Sequence, residues 1–206
     1  YRRGADAFGR AQERARALDD AEALAVAAVN RAVCLLRTGR AAEALAGVEE
    51  ALADERVSPE RRMELQAAGA RAQLALGRPE EARARTAAVL NANPPPVLRA
   101  QAVLALGGAE LAGLDAPAAE RALAGLPAAV WNTVPASLQA ERAEMEARIS
   151  AMLESPGGAW EWQDRAAVLW REAGRLPDMA RALAGAGRHA RAAGDSAAAG
   201  DRFWRS

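Results

Sequence analysis

A sequence pattern typical of a helix that ends in glycine recurs along this chain of 206 residues. A run rich in alanine and leucine leads to a glycine, four or five residues follow, and a second helical run then begins with alanine. The glycines are Gly39, Gly77, Gly113 and Gly194. Helix pairs that repeat in this way are typical of solenoids, in which each pair buries its apolar face only by stacking on its neighbours. The repeat therefore predicts an all-α solenoid.

The composition favours helices throughout. The chain is 51% hydrophobic but only 4% aromatic, and its alanine content favours helix because alanine loses no side-chain entropy on entering one. No segment alternates β-branched or aromatic residues with polar ones over the length of a strand, so no sheet is expected. We predict eleven helices, at about 2–18, 21–38, 41–54, 59–77, 79–92, 95–112, 116–126, 135–154, 159–174, 177–193 and 196–206.

The helix pairs predict a single repeat domain over residues 1–206. Regular units cover about 21–126 and 177–206, but the spacing between the glycines grows from 38 and 36 residues to 81 across the irregular stretch 127–175. Residues 155–158 are expected to form the turn of a degenerate pair there. Because the chain opens without methionine and stops within a helical run, we expect a fragment of a longer protein.

The small residues of the first unit resemble those of the tetratricopeptide-repeat family, whose unit is a pair of antiparallel helices. With Gly39 as the fifteenth residue, Ala32 is eighth, Ala44 twentieth and Ala51 twenty-seventh. The family's tryptophan at the fourth position and tyrosine at the eleventh are absent, so the resemblance is to a diverged array. It implies a right-handed α-α superhelix with a concave groove lined by the first helix of each pair.

That groove, by resemblance, holds a peptide or a partner protein. Carried over by position, its residues are Val26, Val29, Asn30, Val33 and Leu36 in the first unit, Glu64, Ala67, Ala68, Arg71 and Leu74 in the second, and Arg181, Ala184, Gly185, Arg188 and Arg191 in the last. Asn30 could bond the backbone of a ligand. The three arginines at 181, 188 and 191 share one helix face and could bind carboxylates of a partner. A solvated face is the alternative for both.

Tryptophan is concentrated in the second half of the chain, from Trp131 onward. Trp160 and Trp162 are candidate anchors for a partner, because exposed tryptophan is enriched at binding hot spots. The alternative is that tryptophan fills gaps in a core made of alanine, which we expect for Trp170 and Trp204.

Catalysis, cofactors and metal sites find little support in the sequence. His189 is the only histidine and Cys34 the only cysteine, so a histidine-based triad, a cysteine zinc site and an internal disulfide are not expected. The glycines at 185 and 187 lack the strand and the lysine of a phosphate-binding loop. We therefore expect no enzyme and no cofactor.

The charge balance is the last constraint on function. The chain has 27 basic and 27 acidic residues, so no nucleic-acid partner is expected, although an arginine-based RNA-binding repeat stays open. No stretch reaches the roughly 20 apolar residues that span a bilayer. We expect a non-catalytic protein-interaction scaffold, or alternatively an accessory or regulatory segment of a larger enzyme or transcription regulator. The arginine and alanine bias suits a bacterial source, where similar arrays include envelope lipoproteins, and both a periplasmic and a cytoplasmic location fit.

Overall fold

The computed structural model describes the backbone of residues 1–206 and every side chain except that of Pro156. All regular elements in this described chain are α-helices, which confirms the predicted all-α class, and there are twelve of them. They are α1 (Arg2–Ala17), α2 (Ala21–Leu36), α3 (Ala41–Leu52), α4 (Pro59–Ala75), α5 (Pro79–Asn91), α6 (Pro96–Ala112), α7 (Ala116–Ala124), α8 (Ala128–Trp131), α9 (Ala136–Met152), α10 (Pro156–Glu172), α11 (Leu176–Ala192) and α12 (Ser196–Arg205).

The helix beyond the predicted eleven is α8. It is a single turn of four residues that follows Pro127 and ends before Pro135. Four residues are too few to show an apolar period, so the sequence offers no helical signal there.

Capping side chains and prolines mark the residues at which several helices begin. Asp20 accepts a hydrogen bond from the backbone N–H of Ala23 at the start of α2, and Ser58 accepts one from Arg61 at the start of α4. Proline stands in the first turn of α4 and α5, where its missing N–H costs no helical hydrogen bond. These capping residues fix the first turns of α2 and α4, two of the helices that line the groove described below.

Helix ends share one turn geometry. Eight described residues just beyond a helix have a positive φ, namely Asp19, Gly39, Gly77, Asn93, Leu114, Glu154, Gly174 and Gly194. The next N–H then returns to the last turn of the helix, as Arg40 N does to Leu35 O at 2.9 Å. Because only half of these residues are glycine, glycine spacing alone undercounts the turns.

The positive-φ residues show that the repeat continues through the stretch 127–175. The turns inside successive helix pairs lie at 39, 77, 114, 154 and 194, with spacings of 38, 37, 40 and 40 residues. The turn predicted at 155–158 is wrong, because Glu154 takes the left-handed position and α10 begins at Pro156. The period hidden from the glycine pattern is therefore regular.

The chain divides into two compact units, Tyr1–Ala112 and Gly113–Ser206, which we call unit 1 and unit 2. In unit 1 consecutive helices pack against one another, and α4 also contacts both α2 and α6. In unit 2 the helices from α9 to α12 pack in sequence, and α7 packs against α9. A single repeat domain over residues 1–206 stays a prediction.

Small residues sit where the helices of unit 1 cross. Ala32, Ala44 and Ala51 are 1%, 1% and 0% exposed and belong to one core cluster with Leu65 and Val48. Alanine lets two helix backbones approach closely without leaving a void. The register inferred from the resemblance therefore places small side chains at buried crossings.

We expect Ala44→Leu to destabilise the protein by about 1–3 kcal/mol, because three more carbons must enter a packed crossing. The matched control is Ala42→Leu on the exposed side of the same helix, which should change the free energy of unfolding by less than about 0.5 kcal/mol. Urea unfolding followed by circular dichroism measures both. Equal midpoints for the two variants would contradict the register.

Candidate binding groove

The first helices of three successive pairs, α2, α4 and α6, border a cavity of about 370 Å³ on unit 1. We call this surface the unit 1 groove. Its lining residues are Val26, Val29, Asn30, Glu60, Arg61, Glu64, Pro95, Val97, Leu98 and Gln101. The predicted positions Val26, Val29, Asn30 and Glu64 are among them.

The floor of the groove is apolar. Val26 on α2 and Val97 on α6 are 38% and 41% exposed, and Val29 is half-buried beside them. Leu98 is buried and anchors this floor to the core that α4 and α5 share with α6. Exposed valines that two helices present to one cavity form a surface on which an apolar side chain can pack.

The α4 side of the groove carries charge. Arg61 donates to both carboxylate oxygens of Glu64 at 2.7 Å, and the side-chain hydrogen bond to Glu64 raises the pKa of Arg61. Glu60 is exposed, and no hydrogen bond or ion pair of its carboxylate occurs within the described residues. With two acids and one base in its lining, the groove favours a cationic group on its occupant.

Asn30 lies in the groove, as the sequence predicts. Its side-chain N–H donates to the carbonyl of Val26 on the same helix at 2.9 Å. One donor is thereby used to orient the amide, and the amide oxygen is left to accept from the backbone of a ligand.

The other predicted site on α4 lies away from the groove. Arg71 is half-buried and takes part in contacts within the chain. Ala67 and Ala68, also expected to face the groove, are 2% and 7% exposed and belong to the core. Only the first two turns of α4 therefore line the groove.

Arg181 forms ion pairs with two carboxylates of unit 2. Its guanidinium donates to Glu144 of α9 at 3.0 Å and pairs with Asp178 of its own helix at 3.0 Å. Although burial disfavours its charge, Glu144 and Asp178 raise the pKa of Arg181 above its usual range. Arg181 therefore ties α11 to α9, while its side chain is still 52% exposed, and its role as a contact for a partner stays a prediction.

The same carboxylates bind two more side chains. Asp178, which is 3% exposed, pairs with Arg175 at 2.9 Å. Arg175 stacks over the ring of Trp170 at 4.7 Å, and the indole Nε1 of Trp170 donates to Glu144 at 3.0 Å. Together with Arg181, these residues form a closed network across α9, α10 and α11.

Arg188 and Arg191, the other members of the predicted arginine face, are exposed on α11. His189 lies between them and is half-buried, and this burial together with the charge of Arg188 lowers its pKa. The binding of a partner's carboxylates by this arginine face stays a prediction.

The two candidate tryptophan anchors are partly covered by their own chain. Trp160 lies 4.8 Å from the guanidinium of Arg202, and Trp162 lies 5.4 Å from that of Arg165. Trp162 also packs against the core of α9, α10 and α11. Both side chains are half-buried, and their role as anchors for a partner stays a prediction.

The remaining tryptophans split between core and surface. Trp170 is fully buried, as predicted, but Trp204 is 91% exposed, so its predicted place in a core is wrong. Trp131 is 2% exposed in the unpredicted helix α8. The residues around Trp131 show no apolar periodicity, so its burial could not be predicted from the sequence.

The described residues contain no group of three or more histidine, cysteine, aspartate or glutamate side chains that could hold a metal ion. None of their helices combines the length and the apolar character needed to cross a bilayer.

Comparison with known proteins adds one finding. No protein-family model matches the chain, and no curated protein matches it. Among solved structures, the chain is similar to the crystal structure of BtubC (BKLC) from P. vanneervenii, with a TM-score of 0.69 and 16% sequence identity over 99% of this chain and 88% of that one. At this identity the likeness shows the fold alone, an all-helical, repeat-like fold.

Proposed function

We propose that the chain is a non-catalytic protein-interaction scaffold whose unit 1 groove binds a peptide or a segment of a partner protein. The observation that carries this proposal is the apolar floor, where Val26 and Val97 are about two-fifths exposed on two different helices. The cavity of about 370 Å³ falls within the usual range of ligand sites, roughly 300–1,000 Å³. That volume suits a few side chains of a longer segment.

The lining also indicates the chemistry of the occupant. An apolar side chain packs on Val26, Val29 and Val97, while a lysine or arginine beside it meets Glu60. Asn30 accepts a hydrogen bond from the backbone of the segment. Opposite charge across an interface contributes more to specificity and association rate than to affinity, so the apolar contact supplies most of the binding energy.

The proposal includes a diverged tetratricopeptide-like repeat with a right-handed superhelix. The buried small residues Ala32, Ala44 and Ala51 support it. The spacing of 37 to 40 residues between turns is longer than the family's unit of about 34.

Selection of peptides from a random displayed library on the full chain tests this function. We expect enriched peptides with an apolar residue next to a basic one, and Val26→Arg should weaken their binding by at least about tenfold, because it fills the floor with a charged chain. The matched control is Val33→Arg, a valine of α2 that is 41% exposed outside the groove lining. Enrichment of no peptide, or equal loss in the two variants, would refute the proposal.

A further inference from the structure

Unit 2 contains a second, smaller cavity, of about 60 Å³, between α8, α9 and α10. We call it the unit 2 notch. Trp131, Asn132, Arg142, Trp162 and Arg165 are among its lining residues. The notch is separate from the unit 1 groove and does not depend on the function proposed for it.

Two arginine and tryptophan stacks form the notch. The guanidinium carbon of Arg142 lies 5.0 Å from the ring centroid of Trp131, and that of Arg165 lies 5.4 Å from the ring centroid of Trp162. Stacking on an indole ring orients a guanidinium plane while its edge keeps its N–H donors. Arg165 therefore keeps an edge that can bind an acceptor with two oxygens, whereas Arg142 also contacts Glu146 at 3.5 Å.

The charge of the notch is positive. No acidic side chain lines it, in contrast to the unit 1 groove with its two glutamates. The contact from Arg142 to Glu146 is long, at 3.5 Å. Arg165 is exposed, and its side chain has no ion pair within the described residues. Two cationic groups thus border a cavity whose lining supplies no counter-charge.

Two buried donors of the lining side chains also lack acceptors. Nε1 of Trp131 and Nε of Arg142 have no hydrogen-bond partner among the described residues, and Trp131 is 2% exposed. A buried donor without an acceptor is unfavourable, because it has given up its hydrogen bond to water. A ligand oxygen that enters the notch can accept hydrogen bonds from these donors.

From these observations we propose that the unit 2 notch binds a carboxylate group. A cavity of about 60 Å³ is small but has room for a group of the size of one carboxylate. The carboxylate belongs either to a small free acid or to the end or side chain of a polypeptide. The chemistry of recognition is the same in both cases.

Nuclear magnetic resonance of the indole N–H groups tests the notch, since the five tryptophans provide five separate signals. The full chain is titrated at constant ionic strength with sodium acetate, and in parallel with acetyl-diglycine that carries either a free carboxylate or a terminal amide. We expect the signals of Trp131 and Trp162 to shift and saturate, while that of Trp204 does not. A lower midpoint for free acetyl-diglycine than for acetate indicates a polypeptide source, and the reverse indicates a small acid.

Variants decide whether the arginines bind the carboxylate. Arg165→Gln should raise the midpoint about tenfold, the usual effect of removing one charged hydrogen-bond donor. Arg142→Gln should do the same, but since that residue is half-buried, the exposed Arg165 carries the test if the first variant fails to fold. The matched control is Arg148→Gln, an exposed arginine of α9 outside the lining of the notch, which should leave the midpoint unchanged.

Three results would overturn the proposal. They are a shift that grows linearly without saturation in all five signals, an equal response to the amide and the carboxylate of acetyl-diglycine, and an unchanged midpoint in Arg165→Gln. A response to sodium phosphate with none to acetate would likewise contradict the assignment to a carboxylate.

Discussion

Replacing Trp170 by alanine is expected to lower the stability of unit 2 by about 3–5 kcal/mol, the usual cost of truncating a fully buried aromatic side chain. The ring has no exposed surface and packs in the cluster formed by α9, α10 and α11. Its loss also removes the donor to Glu144 and the surface on which Arg175 stacks. The truncation therefore opens a cavity and breaks the closed network at two points.

Urea unfolding followed by tryptophan fluorescence measures this effect, because all five tryptophans lie in unit 2. Trp204→Ala is the matched control, since that ring is 91% exposed and its removal should change stability by less than about 0.5 kcal/mol. Trp170→Phe should fall between the two, because it keeps an aromatic ring and loses the indole N–H. Equal midpoints for the two alanine variants would show that Trp170 is not part of the core.

Leu65→Ala is expected to destabilise unit 1 by about 2–5 kcal/mol. Leu65 is 0% exposed in the cluster that joins α2, α3 and α4, so its truncation leaves a cavity beneath the groove. Leu18, which is 65% exposed at the end of α1, offers the control substitution Leu18→Ala. Amide exchange of α2, α3 and α4 reports the loss, because exchange in a core helix follows the free energy of opening. Unchanged protection in Leu65→Ala would contradict the packing of unit 1.

Most of the helices could be predicted from the sequence, because apolar periodicity and capping residues act locally. The prediction for α2 reached residue 38, whereas the helix ends at Leu36, since Arg37 and Thr38 already belong to the turn before Gly39. Leu114 and Glu154 could not be recognised as turn residues, because they hold a backbone conformation that glycine usually takes. After Glu154, as after Gly39, the next N–H returns to the last turn of the helix, from Ser155 N to Ser150 O at 2.8 Å.

Four of the ten residues that line the groove were predicted from the sequence, and the reason lies in where its helices begin. Val26, Val29, Asn30 and Glu64 follow from the positions of the resemblance. Glu60, Arg61, Val97 and Leu98 do not, because α4 and α6 begin about one turn earlier than a unit of about 34 residues would place them. That additional turn supplies Glu60, one of the two acids of the lining, and half of the apolar floor.

Long-range pairing accounts for the remaining differences. Arg181 was predicted to face a partner. The carboxylate to which it donates belongs to Glu144, which lies 37 residues away in the sequence. The stack of Arg142 on Trp131 likewise joins α9 to a helix with no sequence signal. No local pattern contains such pairs, and they decide which arginines and tryptophans are available to a ligand.

Amide exchange of the full chain, with and without the tightest-binding peptide from the selection, shows where that peptide binds. If it occupies the unit 1 groove, we expect slower exchange in the first two turns of α4 and α6 and along the groove side of α2, with unit 2 unchanged. Protection confined to unit 2, or spread evenly along the chain, would show that the unit 1 groove is not the binding site.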